Sequence, residues 1–235
     1  MLKESIKRIP YALAIGSIMY DILYTRSDVS YTLNVTSKSQ SNLGSGHRIA
    51  VKNILKYLRR TKDLFLIYGG QELKICGYRD ASFQSEKDDS KSQSGYAFTL
   101  NGGTASWKSS KQYTTVDSTT EAKYIAISEA ATKAVCIRKF VAEPRMFPSI
   151  SGPIILYCDN NGVIAQAKEP KSHERSNTCY GTTILIREII DRNQVKIEKI
   201  PTYDNIADPF TKALFQEKHE SHVNLFSLKH MNDWL

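Results

Sequence analysis

Cysteine, histidine and long apolar runs are all in short supply in this chain, and each shortage closes off a class of function. The four cysteines, Cys76, Cys136, Cys158 and Cys179, stand far apart and form no CxxC pair. That removes the usual zinc frameworks and predicts reduced thiols, three of them in apolar runs as buried core residues of an intracellular protein. Five histidines are present. The one suggestive pair, in His219-Glu220-Ser221-His222, is spaced three apart where a helical zinc site needs four. No apolar run approaches bilayer length. Lys3, Lys7 and Arg8 precede an apolar stretch broken by Asp21 and Arg26, which is not a secretory signal. The expected location is inside the cell, in cytoplasm or nucleus.

What is present is globular in composition. The 235 residues are 41% hydrophobic and 24% charged, enough for one large domain or one domain with a smaller partner. The net charge of +8 is uneven: residues 1–72 hold 11 Lys/Arg against 5 Asp/Glu, and the remaining 163 hold 21 against 19. A basic segment beside a near-neutral one suits a polyanion gripped by its phosphates, mostly through the first segment. Solubility alone accounts for the same charge.

Residues 11–24 predict an apolar helix, and Asp28 a cap for a second helix through Val29, Leu33 and Val35. Ser37 to His47 reads as a polar loop. Ile49, Ala50, Ile54 and Leu58 then recur at helical spacing, with Val51 and Leu55 widening the face. This helix closes on Arg59, Arg60 and Lys62, where positive charge complements the dipole. A short strand, Leu64–Tyr68, stops at Gly69-Gly70. The expected division is a mostly helical segment over 1–70, a second domain over 71–214 and a tail of weak periodicity over 215–235.

The second domain opens with strands at Leu73–Tyr78, Ser94–Leu100 and Thr104–Lys108, the last two joined by the hairpin signal Asn101-Gly102-Gly103. A long, alanine-rich helix starts at Ser118 and should cross a sheet in the core. A strand, Pro153–Cys158, a short helix, Val163–Ala167, a helix over about Thr182–Arg192 and a strand, Val195–Ile200, follow. A last helix is expected after Asp204-Asn205, carrying Asp208. The order βββ-α-β-α-α-β-α predicts an α/β fold with a mixed sheet covered by helices on both faces.

Four carboxylates fall at ends of these elements. Asp80 follows the first strand's apolar stretch and Asp159 ends the fourth, and parallel strands bring both to one edge of the sheet. Glu121 and Asp208 lie in first turns of helices. Each has a structural reading: Asp80 in a turn, Asp159 as an N-cap, Asp208 complementing a dipole, and Glu121 with Ser118 as a capping box. Jointly they read otherwise, because clustered carboxylates repel unless a cation neutralises them. Oxygen ligands without His or Cys suit Mg2+ or Mn2+ rather than Zn2+. Two such ions about 4 Å apart serve in-line attack on a phosphodiester.

Six segments, in order and with similar spacing, resemble the ribonuclease H domain in the Pol polyprotein of plant copia-type LTR retrotransposons. They are Gly77–Phe83, Asp88–Ser92, Ser106–Gln112, Ser118–Tyr124, Tyr157–Asn160 and Asn205–Lys212. Residues 9–70 resemble the end of the reverse transcriptase just upstream, notably in Tyr11–Tyr20 and Ile54–Leu58. The resemblance implies a ribonuclease H-like fold, a mixed five-stranded sheet flanked by helices, with 1–70 as a remnant of the C-terminal, thumb- or connection-like region of the transcriptase. It implies Asp80, Glu121, Asp159 and Asp208 as the catalytic and metal-binding quartet for two Mg2+ ions, with Mn2+ able to substitute. The implied reaction is hydrolysis of the RNA strand of an RNA–DNA hybrid, read by shape and 2′-hydroxyls. Lys108, Lys111 and Asn160 are candidate nucleic-acid contacts, with simple solvation an equal account of the two lysines, and neither a membrane nor a small-molecule cofactor is called for.

The chain begins after the point where that family carries its paired-aspartate polymerase site, so no DNA synthesis is expected. It departs from the family after Ser176, where Lys-His, two hydrophobic residues, Arg-Arg, an aromatic and His are usual. Asn177-Thr178-Cys179-Tyr180-Gly181-Thr182-Thr183-Ile184 lacks two histidines and three basic residues, and Gly181 costs about 1 kcal/mol in an expected helix. Pro144-Arg145-Met146 likewise replaces a more regular helix end. These losses favour the alternative reading, a decayed or domesticated nucleic-acid-binding protein without catalysis.

Overall fold

A computed structural model describes residues 11–38, 45–69, 73–85, 89–142, 152–168 and 180–230. The first segment is three helices: α1 (Tyr11–Tyr24), α2 (Ser30–Ser37) and α3 (Ser45–Arg60). Tyr11, Ile15, Ile18 and Ile22 recur every three or four residues, which gives α1 one apolar stripe. That stripe packs on Val29, Leu33, Val51 and Ile54. The face of α3 is narrower than its sequence suggests, since Ile49 and Leu55 are exposed. The expected loop before it is helical at both ends, and residues 39–44 lie outside the described ones.

Asp28 does not cap a helix. The N-cap of α2 is Val29, with no side-chain bond. Asp28 is buried and engages Arg26, whose Nε donates to Oδ1 at 3.0 Å and Nη2 to Oδ2 at 2.7 Å, and the Tyr57 hydroxyl donates to Oδ2 at 2.7 Å. A buried guanidinium needs a carboxylate more than a helix end needs a cap.

The expected strand after α3 is shorter, β1 (Leu64–Leu66). Its antiparallel partner comes from the other end of the chain. The tail that shows no clear period forms α7 (Gln216–Leu225) and β7 (Leu228–His230), with Leu64 opposite His230 and Leu66 opposite Leu228.

The main sheet is the expected mixed five-stranded one. Its strands are β2 (Ile75–Ser82), β3 (Gln93–Leu100), β4 (Gly103–Lys111), β5 (Ile154–Cys158) and β6 (Val195–Lys199), in the order β4-β3-β2-β5-β6. The first three form an antiparallel meander, and β5 and β6 add in parallel to β2. Between β3 and β4, Asn101 and Gly102 both take positive φ, 51° and 82°, as a primed hairpin turn requires.

Alternation along β3 sends Phe98 and Ala97 to opposite faces. On the Phe98 face lies α4 (Thr119–Ala142), which buries Ala122, Ala126, Ala130, Ala131 and Ala134 and can therefore approach closely. The helices α5 (Asn161–Lys168) and α6 (Tyr180–Asp191) share that core, with Val163 and Ile186 buried in it. On the Ala97 face, Phe210, Val223, Phe226 and Leu228 form a second core. The first segment docks beside it: Trp107 Nε1 donates to the Ile22 carbonyl at 3.0 Å, and Gln93 Nε2 to Asn34 Oδ1 at 3.1 Å.

Two further expectations need correction. The last helix carrying Asp208 is only a pair of 3-10 turns, Thr202–Asp204 and Asp208–Phe210. Phe210 is drawn into the core and the Thr211 hydroxyl to Asp80, which stops the helix after one turn. Cys76 and Cys158 are buried free thiols, but Cys136 is exposed on α4, whose apolar run is wider than the face meeting the sheet. Cys179, like Pro144-Arg145-Met146 and residues 177–179 of the departing stretch, lies outside the described residues. Gly181 sits exposed in the first turn of α6. No described helix is long and apolar enough to cross a membrane.

Candidate active site

Three aspartates meet at the edge where β2 and β5 end. Asp80 lies two residues before the end of β2, opposite Gly95 of β3, and is 3% exposed. Asp159 directly follows β5, the parallel neighbour of β2, so the two acids share one edge. Asp208 arrives from the far end of the chain on its 3-10 turn and is wholly buried. Gly95 makes that approach possible: a Cβ there would lie 2.5 Å from the Cβ of Phe210. The Thr211 hydroxyl, 3.1 Å from the Asp208 carbonyl oxygen, donates to Asp80 Oδ2 at 2.5 Å and so fastens the turn to the strand.

The scaffold beneath is polar and buried. Arg79, adjacent to Asp80 and fully buried, donates from Nη1 to the Lys123 carbonyl at 2.9 Å and from Nη2 to the Cys158 thiol. Asn205 donates from Nδ2 to the Arg79 carbonyl at 2.9 Å, and its Oδ1 accepts the Ala207 amide at 3.1 Å. Strand ends and the Asp208 turn are thereby locked together.

Three ammoniums neutralise the three carboxylates. Lys123 Nζ lies 2.8 and 2.9 Å from the two oxygens of Asp159 and 3.5 Å from Asp80 Oδ1. Lys212 and Lys218 reach the two oxygens of Asp208 at 2.8 and 2.6 Å. Burial raises the Asp80 carboxyl above its ordinary range; Lys123 and Thr211 oppose this, and Asp208 and Asp159 add to it. Asp159 is also buried, yet the hydrogen bond and charge of Lys123, with Arg79 and Thr202, outweigh burial and hold it below the ordinary range. Burial acts against the Lys212 ammonium, but Asp208 and then the other two aspartates raise it on balance.

Glu121 is on the same side of the fold but is engaged elsewhere. Its amide donates to Ser118 Oγ at 3.1 Å, and its Oε2 accepts the Asp117 amide at 3.0 Å. This is a capping box reaching one residue further back than usual. Asn160 Oδ1 caps α5 by accepting the Val163 amide at 3.0 Å, so the cap is Asn160 and not Asp159. Lys108 is exposed on β4, and Lys111 pairs with Asp89 at 2.5 Å. Among the described residues, no three His, Cys, Asp or Glu side chains are gathered closely enough to hold a metal as they stand.

The residues that sequence reasoning missed are those that hold the acids. Thr211 and Lys212 lie within the Asn205–Lys212 segment and Lys123 within Ser118–Tyr124, so their proximity was implicit. Lys218 carries no local signal, because it reaches Asp208 only when the tail folds back.

No protein-family model matches the chain. The Pol polyprotein from transposon TNT 1-94 of Nicotiana tabacum is 36% identical over 218 residues, 93% of this chain and 16% of that protein. Secreted RxLR effector protein 161 of Plasmopara viticola is 40% identical over 130 residues, 55% of this chain and 92% of that one. Among solved structures, a foamy viral protease-reverse transcriptase in complex with double-stranded DNA aligns with a TM-score of 0.51 at 11% identity, covering 85% of this chain and 34% of that one. The chain thus spans a small fraction of the length of the transposon polyprotein. It belongs to the family of retrovirus-related transposon Pol polyproteins and carries their ribonuclease H-like domain.

Proposed function

We propose that this chain is a divalent-metal-dependent ribonuclease H that hydrolyses the RNA strand of an RNA–DNA hybrid. The observation that carries the reading is the shared cation: one ammonium lies within 3.5 Å of both Asp80 and Asp159 where parallel strands end, with Asp208 tied in by Thr211. Buried carboxylates with only oxygen donors fit a hard divalent cation, and the arrangement already stabilises positive charge between two of them. Mg2+ or Mn2+ held there by Asp80, Asp159 and Asp208 would supply an activated water and stabilise the leaving oxygen. Glu121 would complete the set by turning from the Asp117 amide.

The remaining roles fall to surface residues. Lys108 and the exposed Lys52, Lys56, Arg59 and Arg60 of α3 contact phosphates, and Asn160 stands beside Asp159 at the reacting edge. Residues 1–70 are the remnant of the reverse transcriptase's C-terminal region, and their described part docks through α2 and the β1–β7 pair.

The test is cleavage of a strand-labelled RNA–DNA hybrid with Mg2+ or Mn2+. Wild-type protein should cut the RNA strand, and Asp159→Asn should lower the rate by a factor of about 100 or more, the scale of losing a group that acts on the reacting atoms. The second reading, a binder without catalysis, draws on Glu121 being bonded to Asp117. Hybrid binding with no cleavage in either metal would establish it and overturn the first.

A further inference from the structure

Lys123 is held from two sides. Its carbonyl oxygen accepts Arg79 Nη1 at 2.9 Å, which pins its backbone to β2. Its ammonium grips both oxygens of Asp159, at 2.8 and 2.9 Å, and approaches Asp80 Oδ1 at 3.5 Å. The side chain is only 14% exposed, so this is an enclosed pair and not a passing surface contact. Gripping one carboxylate with both oxygens while touching a second is how a bridging cation sits. Lys212 and Lys218 take one oxygen of Asp208 each and do not bridge to another aspartate. Three aspartates face three ammoniums, with the Arg79 guanidinium buried beneath them.

We infer that Lys123 is a built-in competitor for the cation position between Asp80 and Asp159, so that a divalent ion enters only by displacing its ammonium. Two positive groups held between the same pair of carboxylates repel, so each lowers the other's gain. The affinity of this chain for Mg2+ is then set by how readily Lys123 swings out. Lys123 is a positioning residue, acting through the aspartates rather than on the substrate. The inference rests on the proposed metal-dependent function.

Calorimetric titration of Mg2+ and Mn2+ into wild-type protein, Lys123→Gln, Lys123→Met and Lys123→Arg tests it. Lys123→Met keeps the apolar stem should the Gln variant fold poorly, and Lys123→Arg keeps the charge. Gln and Met should bind metal on the order of tenfold more tightly than wild type, the scale of removing one adjacent unit charge. Arg should stay near wild type. Thermal melts give an independent readout: the neutral variants should melt lower than wild type without metal and recover with it. A merely structural ion pair would lower the melting temperature equally with and without metal and leave affinity unchanged. Equal dissociation constants in all four proteins, with wild type still cleaving hybrid, would overturn the inference and leave the function standing. Absence of metal binding in every protein, with no cleavage, would overturn both.

Discussion

His222 shows how much a single side chain can be bent from its ordinary behaviour by position. It is buried on α7, its ring 6.4 Å from that of Phe226, and its Nδ1 has no hydrogen-bond partner. Burial drives its pKa down to about 4; Asp208 opposes this, and Lys218, His219 and Lys212 add to it. The folded protein therefore holds a neutral imidazole that the unfolded chain would protonate near pH 6.5. Between those values the unfolded state binds more protons, so stability rises with pH and falls as the solution is acidified from about 6.5 toward 4. The loss should reach about 2–3 kcal/mol between pH 7 and pH 4.5. His222→Gln removes this contribution. In metal-free buffer the variant's stability should fall less steeply with acid than that of wild type, and equal slopes from paired denaturation curves would contradict the assignment. Legibility at this scale was partial. The acids at strand ends stood out because β2 and β5 are plainly apolar, whereas the burial of His222 and the grip of Lys218 depend on where α7 lands.

Elements divide by whether local pattern or tertiary contact shapes them. The helix α1, the hairpin at Asn101-Gly102 and the long helix α4 were readable because apolar spacing, turn chemistry and an N-cap all agree there. The second helix began after Asp28 rather than on it because Arg26, just before it, and Tyr57 of α3 claimed the carboxylate. Arg26 also donates from Nη1 to the Thr61 carbonyl at 3.1 Å and from Nη2 to the Thr61 hydroxyl at 2.7 Å. His219 of α7 lies 3.2 Å from the Asp28 carbonyl oxygen. One network thus joins the turn between α1 and α2 to α3 and α7. Asp28→Ala should destabilise the protein by about 3–5 kcal/mol, because it leaves a buried guanidinium without its counter-charge. Replacing both partners, as Arg26→Met with Asp28→Leu, should cost less than Asp28→Ala alone. Urea titrations of the three proteins decide it, and a double variant less stable than the single one would show that the pair contributes more than charge compensation.

At the scale of the whole molecule the uneven charge and the pairing of β1 with β7 belong together. The pairing of β1 with β7, together with the bonds of Trp107 to Ile22 and Gln93 to Asn34, holds the basic helical segment against the sheet that carries the aspartates. From Ser45 to Lys62 there is no acidic residue. Lys52, Lys56 and Arg59 recur at helical spacing on the exposed side of α3. A row of that kind follows a phosphate backbone, and each contact made releases counterions. If α3 supplies three of the phosphate contacts for an RNA–DNA hybrid, the plot of log affinity against log salt should flatten by about 0.9 for each one lost, the value for a duplex. Lys52→Ala, Lys56→Ala and Arg59→Ala combined should therefore reduce the slope by about 2–3 and weaken hybrids of every sequence alike. Binding isotherms between low and physiological salt measure both. An unchanged slope would mean that the charge on this helix serves solubility, and that the hybrid is held by the sheet domain alone.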